Sequence, residues 1–249
     1  MKLINLNIEG DKHFDTVIPF VEKERPDVLC LQEAPEADLF RFKELGYNTI
    51  FRGETLKMRD GVLSEEGNAV CTLHTIQNER VFYYRNAESE LRFFDQEDKL
   101  KSVHENIGGV LFADIEISGI IYTVGTTHFT WAPDGAIASA EQSDSMDALL
   151  SFTKTLEPHM LTGDFNLSRK QNILYTRLIE HYNDPIPSSY TSSLDATLHY
   201  AGSDPEKQHI FTDYMVDYIF TQPPYRARDV RLEFGISDHA AVVAIIERT

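Results

Sequence analysis

At 249 residues, with 42% hydrophobic and 25% charged side chains, the chain can bury a large core within one domain, 1–249, and has the balance of a soluble globular protein. Its 40 acidic against 23 basic residues leave a formal net charge of −17, which argues against a broad basic surface for nucleic-acid backbones. A phosphate substrate stays open, because a divalent cation can offset carboxylates gathered at a site.

Residues 2–8 alternate enough for a strand, and Phe14, Val17, Ile18 and Val21 have the spacing of a helix over 14–23. Pro26 ends that helix by disfavouring helical backbone at Arg25. Residues 28–31 are continuously apolar, the pattern of a strand buried on both faces. A second helix is predicted over 37–45, closed by Gly46, followed by strands at 47–51, 69–73 and 80–84. Between them, 52–67 reads as a polar loop, and 86–106 as a charged excursion from the core. The clearest hairpin joins 107–117 to 120–129 through Ser118-Gly119. Helices are predicted over 136–156 and 171–182, and the last strands over 214–221, 227–234 and 240–246. Many antiparallel strands with few helices point to two packed sheets with helices outside. Cys30 and Cys71, both in apolar runs, read as buried free thiols rather than a disulfide or a metal pair. No apolar run approaches the roughly 20 residues of a membrane span. The N-terminus lacks the pattern of a secretory signal. The expectation is a cytoplasmic monomer.

The most informative stretch is Met160-Leu161-Thr162-Gly163-Asp164-Phe165-Asn166, an apolar strand stopped at a glycine with two polar residues beyond it. Glycine allows a sharp turn where a side chain would clash. Residues one apart then leave the strand on the same side. A carboxylate and an amide there suit a metal-bound phosphate, one activating water and the other donating a hydrogen bond. Four other strand ends carry polar groups that core packing does not ask for. They are Asn7, Gln32-Glu33, Thr127-His128 and Ser237-Asp238-His239. Asp217 lies inside the apolar run 215–220, where a buried carboxylate needs a partner. Taken singly, each has a plainer role: a helix N-terminal carboxylate for Glu33, a turn former for Asn7 and Asp238, a satisfied structural imidazole for His128. Together they read as a polar site where strand ends converge.

These pieces resemble the endonuclease/exonuclease/phosphatase superfamily, which includes DNase I, apurinic endonucleases, sphingomyelinases and inositol polyphosphate phosphatases. Leu6-Asn7-Ile8, Leu31-Gln32-Glu33, Gly163-Asp164-Phe165-Asn166, Asp217-Tyr218-Ile219 and Ser237-Asp238-His239 match in family order over nearly the whole length. The resemblance implies an α+β fold, a four-layered sandwich of two mixed sheets flanked by helices. It also implies a Mg²⁺-dependent phosphoesterase, with Mn²⁺ as a substitute ion. Carried over, Glu33 is the main metal ligand with Asn7 beside it, and Asn166 holds a phosphoryl oxygen. Asp164 orients or deprotonates the attacking water. His239 acts as general base or stabilises developing charge, with Asp217 fixing its ring and Asp238 organising the metal or that histidine. The base stays open between Asp164 and His239.

His128 is similar to a histidine of the DNase I-like and sphingomyelinase-like branches, placed to protonate the leaving group. Glu79 resembles the glutamate that supports this histidine in DNase I. Glu9 departs from the Asn-x-Asp-Gly pattern of apurinic endonucleases, which puts its metal role in doubt. Trp131 is a candidate to stack on a base or cover a lipid head group. Arg52, Lys57 and Arg59 are candidate phosphate contacts set against solvated loop charges. The implied activity is a phosphodiesterase or nuclease, with nucleic acid slightly favoured over a lipid head group or small metabolite. A phosphatase or phospholipase C-like (sphingomyelinase-like) hydrolase is the alternative, and a non-catalytic binding module a remote one.

Overall fold

Side chains along a strand point alternately to its two faces, and that alternation sets the layering here. In β1 (Lys2–Asn7) and β2 (Val28–Pro35), Leu3, Val28 and Cys30 join a core shared with a second sheet. Their neighbours Ile4, Leu6, Leu29 and Leu31 join another core, against α1 (Phe14–Glu24) and α2 (Phe40–Glu44). The continuous apolar run of β2 is therefore buried on both faces, as its pattern predicts. Each large aliphatic side chain so buried contributes roughly 1.5–3 kcal/mol. Cys30 and Cys71 are free and buried, one in each core.

The computed structural model describes residues 1–249 apart from positions 60, 88, 96 and 134. In the first sheet, β1 pairs parallel with β2 and antiparallel with β11 (Ala241–Arg248). With β3 (Asn48–Arg59), β4 (Val62–Thr72) and β10 (Tyr225–Glu233) the order is β10-β11-β1-β2-β4-β3. The second sheet comprises β5 (Thr75–Arg85), β6 (Gly108–Ile117), β7 (Ile120–His128), β8 (Met160–Asp164) and β9 (Asp217–Phe220), in that order, with β7 and β8 parallel. Met146 and Leu149 of α4 (Ala140–Thr153) and Leu174 and Leu178 of α5 (Ile173–Ile179) cover its outer side. This is the expected sandwich: helices, mixed sheet, mixed sheet, helices.

The hairpin at Ser118-Gly119 forms with φ of 53° and 80°, the doubly positive pattern of a tight two-residue turn. The helix predicted over 136–156 is shorter because Ser139 and Gln142 form a capping box that starts it at Ala140. One expectation is overturned. The described part of 52–67 is not a loop but the distal half of β3 and β4, paired as far as Arg59 and Val62. Leu56 and Met58 do alternate with Lys57 and Arg59, but the run is short. Met58, Val62 and Leu63 stay exposed while the charged side chains pair with one another, so the described part of the ribbon has no buried apolar face. The 86–106 segment leans on this ribbon: Leu56 N–H donates to Arg92 O at 2.8 Å, and Phe94 N–H to Leu56 O at 2.8 Å. Among the described residues, no helix is long and apolar enough to cross a membrane.

Candidate active site

Two sheets with their strand ends side by side leave a mouth where polar groups meet. Deeper in, Gln32 Nε2 donates to Asn5 Oδ1 at 2.9 Å and across the sheets to Thr126 Oγ1 at 2.8 Å. At the mouth itself, Asn7 Nδ2 donates to Glu33 Oε1 at 3.1 Å and to Asp164 Oδ2 at 3.2 Å. Asn7 Oδ1 accepts the Glu9 N–H at 3.1 Å, so the amide is held from both sides. Glu33 sits on a bulge where the β2–β4 register breaks between Leu31 and Ala34, and its φ is +52°. Bulges re-aim a side chain, and a non-glycine residue at positive φ holds strain that surrounding contacts must maintain.

Asp164 is the hub. Its Oδ1 accepts the Asn166 N–H at 2.9 Å, while Asn166, itself at φ +52°, spends Nδ2 on Phe129 O at 2.9 Å. His128, opposite Asp164 in the β7–β8 register, brings Nε2 to 3.6 Å from Asp164 Oδ2. His239 Nε2 lies 3.9 Å from the same oxygen. Behind His239, Nδ1 meets Asp217 Oδ2 at 2.8 Å, and Ser193 Oγ donates to that oxygen at 2.6 Å. Asp238 is 5% exposed, and its Oδ1 accepts from Ser237 Oγ at 3.1 Å. Among the described residues, two groups have ligand atoms within 4.8 Å of one another, Asp164–Asp217–His239 and Glu9–His13–Asp238.

Burial pushes the Glu33 carboxyl up, but the Lys57 and His128 charges and bonds from Asn7 and Lys57 hold it well below the usual range. Burial, with Glu9 and Glu33 nearby, raises Asp238 to about 6 against the pull of His239. His239 is raised well above an ordinary imidazole: burial opposes protonation, and Asp217, Asp164 and Asp238 outweigh it. His128 rises for the same reason, against burial, through Asp164, Glu33 and Glu54.

A family model described as Endonuclease/Exonuclease/phosphatase family matches residues 4–239. The chain belongs to this family. Similar solved structures include an endonuclease/exonuclease/phosphatase from Bacteroides vulgatus, at 16% identity and TM-score 0.71, covering 100% of this chain and 98% of that one. A 3′ phosphatase from Neisseria bound to a product DNA hairpin matches at 15% identity and TM-score 0.68, over 99% of each chain. A mannosyl-6-phosphatase from Bacteroides thetaiotaomicron matches at 15% identity and TM-score 0.66, over 99% of this chain and 99% of that one. At these identities the likeness concerns the fold. No curated protein matches the chain.

Within this family member the structure gathers Asn7, Glu33, His128, Asp164, Asn166, Asp217, Asp238 and His239 at one mouth. Glu79 is not brought there. It is exposed on β5 opposite Ala113, whose β7 partner Val124 lies four residues before His128, roughly 13 Å along the strand. The carboxylate beside His128 is instead Glu54, with Oε2 3.9 Å from Nδ1, held by Arg52 Nη1 at 2.9 Å and Asn68 Nδ2 at 2.8 Å. Nothing in the sequence marks Glu54 or Ser193, because each lies among polar neighbours that do not set its position in the fold. Arg52, Lys57 and Arg59 are neither solvated nor free: Arg52 pairs with Glu54, Lys57 with Glu33 and Glu66, and Arg59 with Glu66 and Asp11. Trp131 is partly buried just beyond β7.

Gly163 is required by close approach. Its φ is +149°, and a Cβ there would collide with the Thr127 carbonyl oxygen of the neighbouring strand. Gly163→Ala is expected to destabilise the protein by about 2–4 kcal/mol, through strain and displacement of the β7–β8 ladder. Urea denaturation checks this, and an unchanged midpoint would contradict the steric argument.

Proposed function

We propose that the chain is a Mg²⁺-dependent phosphoesterase that hydrolyses a P–O bond by direct attack of water, with a phosphodiester as substrate. The observation that supports this most is the Asn7 amide joining Glu33 of one sheet to Asp164 of the other. It sets a ligand carboxylate and a water-orienting carboxylate at one point. The donor set fits a hard cation. Glu33, Asn7 and Asp238 offer oxygens, Glu33 is kept charged, and its Oε2 already faces the Lys57 ammonium at 3.0 Å. Those three residues would hold the ion. When bound, the ion polarises the phosphoryl group and stabilises charge on the leaving oxygen.

The remaining roles follow from the protein's own atoms. Asp164 orients the water and takes its proton, its buried carboxylate being fixed by the Asn166 N–H and the Asn7 amide. His239, kept protonated by Asp217, stabilises charge developing on the phosphoryl oxygens. His128, between Glu54 and Asp164, donates a proton to the leaving alkoxide. Asn166 retains one amide hydrogen for a phosphoryl oxygen.

A phosphatase acting on a small soluble ester is the second reading. It is favoured by Arg52, Lys57 and Arg59 all being engaged with carboxylates, so these three cations offer no free basic surface to a polynucleotide backbone. Purified protein is expected to hydrolyse bis-p-nitrophenyl phosphate or an oligonucleotide with Mg²⁺, to lose that activity in EDTA, and to recover it on adding Mg²⁺ or Mn²⁺. Absence of EDTA-sensitive turnover on any diester or monoester would sink the proposal. Steep salt inhibition on polynucleotides would favour the nuclease reading, because backbone contacts release counterions.

A further inference from the structure

In this acidic chain, cations near the site are mostly neutralised in place. Lys12 pairs with Glu9, Lys57 with Glu33 and Glu66, and Arg59 with Asp11 and Glu66. Lys99 and Lys207 differ. Lys99 makes no ion pair among the described residues, and the one Lys207 makes among them is long, 3.9 Å to Asp204, and half-exposed. Both ammoniums instead hover over one ring: Nζ of Lys99 is 5.3 Å and Nζ of Lys207 is 5.1 Å from the centre of Tyr200. Tyr200 is 65% exposed, and its hydroxyl makes no hydrogen bond among the described residues.

The three residues meet beside His199, which lies within electrostatic reach of His239 and Glu9 at the mouth and of Lys207, and they come from two segments of the chain. Lys99 opens α3 (Lys99–Glu105), in the segment that runs along β3 at Leu56, next to the Lys57–Glu33 pair. Tyr200 and Lys207 belong to a loop fastened beside Asp238 and His239. Asp195 N–H donates to Asp238 O at 2.8 Å, Gly235 N–H donates to Asp195 Oδ2 at 2.7 Å, and Leu194 bridges to His239. The His199 ring backs Tyr200 at 4.5 Å, and Phe211 in turn packs edge-on to His199 at 5.6 Å. Two like charges drawn to one exposed ring repel each other and contribute nothing to the core. The two ammoniums, 5.3 and 5.1 Å from one ring centre, are at most about 10 Å apart, so with small movements of their flexible stems one phosphate meets both, and the Tyr200 hydroxyl can donate to it.

We propose that Lys99, Tyr200 and Lys207 form a second phosphate subsite, so that the substrate carries at least two phosphate groups. One is cleaved at the strand ends, and the other is held between the two segments. This rests on the phosphoesterase reading above and narrows its substrate class. Lysine suits the task as a mobile point charge. The second phosphate is either the next linkage of a polynucleotide or the second ester of a small bisphosphate.

The test compares the Mg²⁺-loaded wild type with a double variant, Lys99→Met and Lys207→Met, which keeps the apolar stems. The substrates are bis-p-nitrophenyl phosphate, a short single-stranded oligonucleotide and adenosine 3′,5′-bisphosphate. For a two-phosphate substrate, kcat/KM relative to that for bis-p-nitrophenyl phosphate is expected to fall at least tenfold, chiefly through KM. If the oligonucleotide arm falls, the salt slope should also drop by about 0.7 per lost contact, and the source is nucleic acid. If only the bisphosphate arm falls, the source is a small ester. An unchanged ratio in both arms overturns the subsite. Should the wild type hydrolyse none of the three, the phosphoesterase reading fails. The subsite is then judged by calorimetric titration with adenosine 3′,5′-bisphosphate. Tenfold weaker binding by the double variant supports it, and equal affinity, or no binding to either protein, overturns it. Tyr200→Phe, which removes only the hydroxyl, should weaken the same interaction less.

Discussion

Glu33→Ala is expected to lower kcat/KM on the phosphoester substrate by at least about a thousandfold, because removing the main anionic ligand takes away both charge stabilisation and ion affinity. The concentration of Mg²⁺ giving half-maximal activity should rise in parallel. Stability should change little. Lys57 keeps Glu66 as a partner, and Asn7 keeps Asp164. The thermal midpoint is therefore expected to stay within a few degrees, which corresponds to about 1 kcal/mol for a chain of this size. Wild-type rates in a folded Glu33→Ala protein on a confirmed substrate would remove Glu33 from the site. Collapse of the fold would instead show that the strained bulge at φ +52° depends on its carboxylate.

His239→Ala is the second large effect, with turnover expected to fall by about a hundred- to ten-thousandfold. Here the fold shares the cost. The variant leaves Asp217, fully buried, with Ser193 Oγ as its remaining side-chain partner. An under-satisfied buried carboxylate costs about 1–3 kcal/mol or more. Circular dichroism melts and steady-state kinetics on one preparation separate the two losses. Asp217→Asn sharpens the result: it keeps the volume but withdraws the charge that holds His239 protonated. If charge on His239 matters, Asp217→Asn should lose most of the activity that His239→Ala loses while melting closer to wild type. Full activity in Asp217→Asn would contradict the proposed role of the pair.

The layered core was legible because burial writes a period into the sequence. Residues 28–31 are apolar on both faces, and the 107–129 hairpin reverses at Ser118-Gly119, the glycine supplying positive φ at no steric cost. The motif residues at strand ends were legible for the complementary reason: polar groups interrupt that period where the core ends. The ribbon formed by β3 and β4 was not legible, since Arg52, Glu54, Lys57, Arg59 and Glu66 satisfy one another. Its distal strands are held by backbone pairing and charge, and the few apolar residues there, Met58, Val62 and Leu63, are exposed rather than buried on one face. For the same reason Glu79 was an attractive partner for His128 on paper, while Glu54 was invisible.

By itself, then, the sequence determined the strands whose faces are buried, the glycine turn at Gly163 and the list of polar residues at strand ends, because these follow from local packing and backbone sterics. It also carries the family. The Asp217–His239 pair was already implied by the family motifs. It took the folded chain to set Glu54 rather than Glu79 beside His128, and to leave Lys99 without an ion pair among the described residues in a chain of net charge −17. Charged pairs form between segments distant in sequence, as Arg59 with Asp11 or His128 with Glu54 do. Electrostatic partnership depends on distance and burial, neither of which is written into sequence spacing.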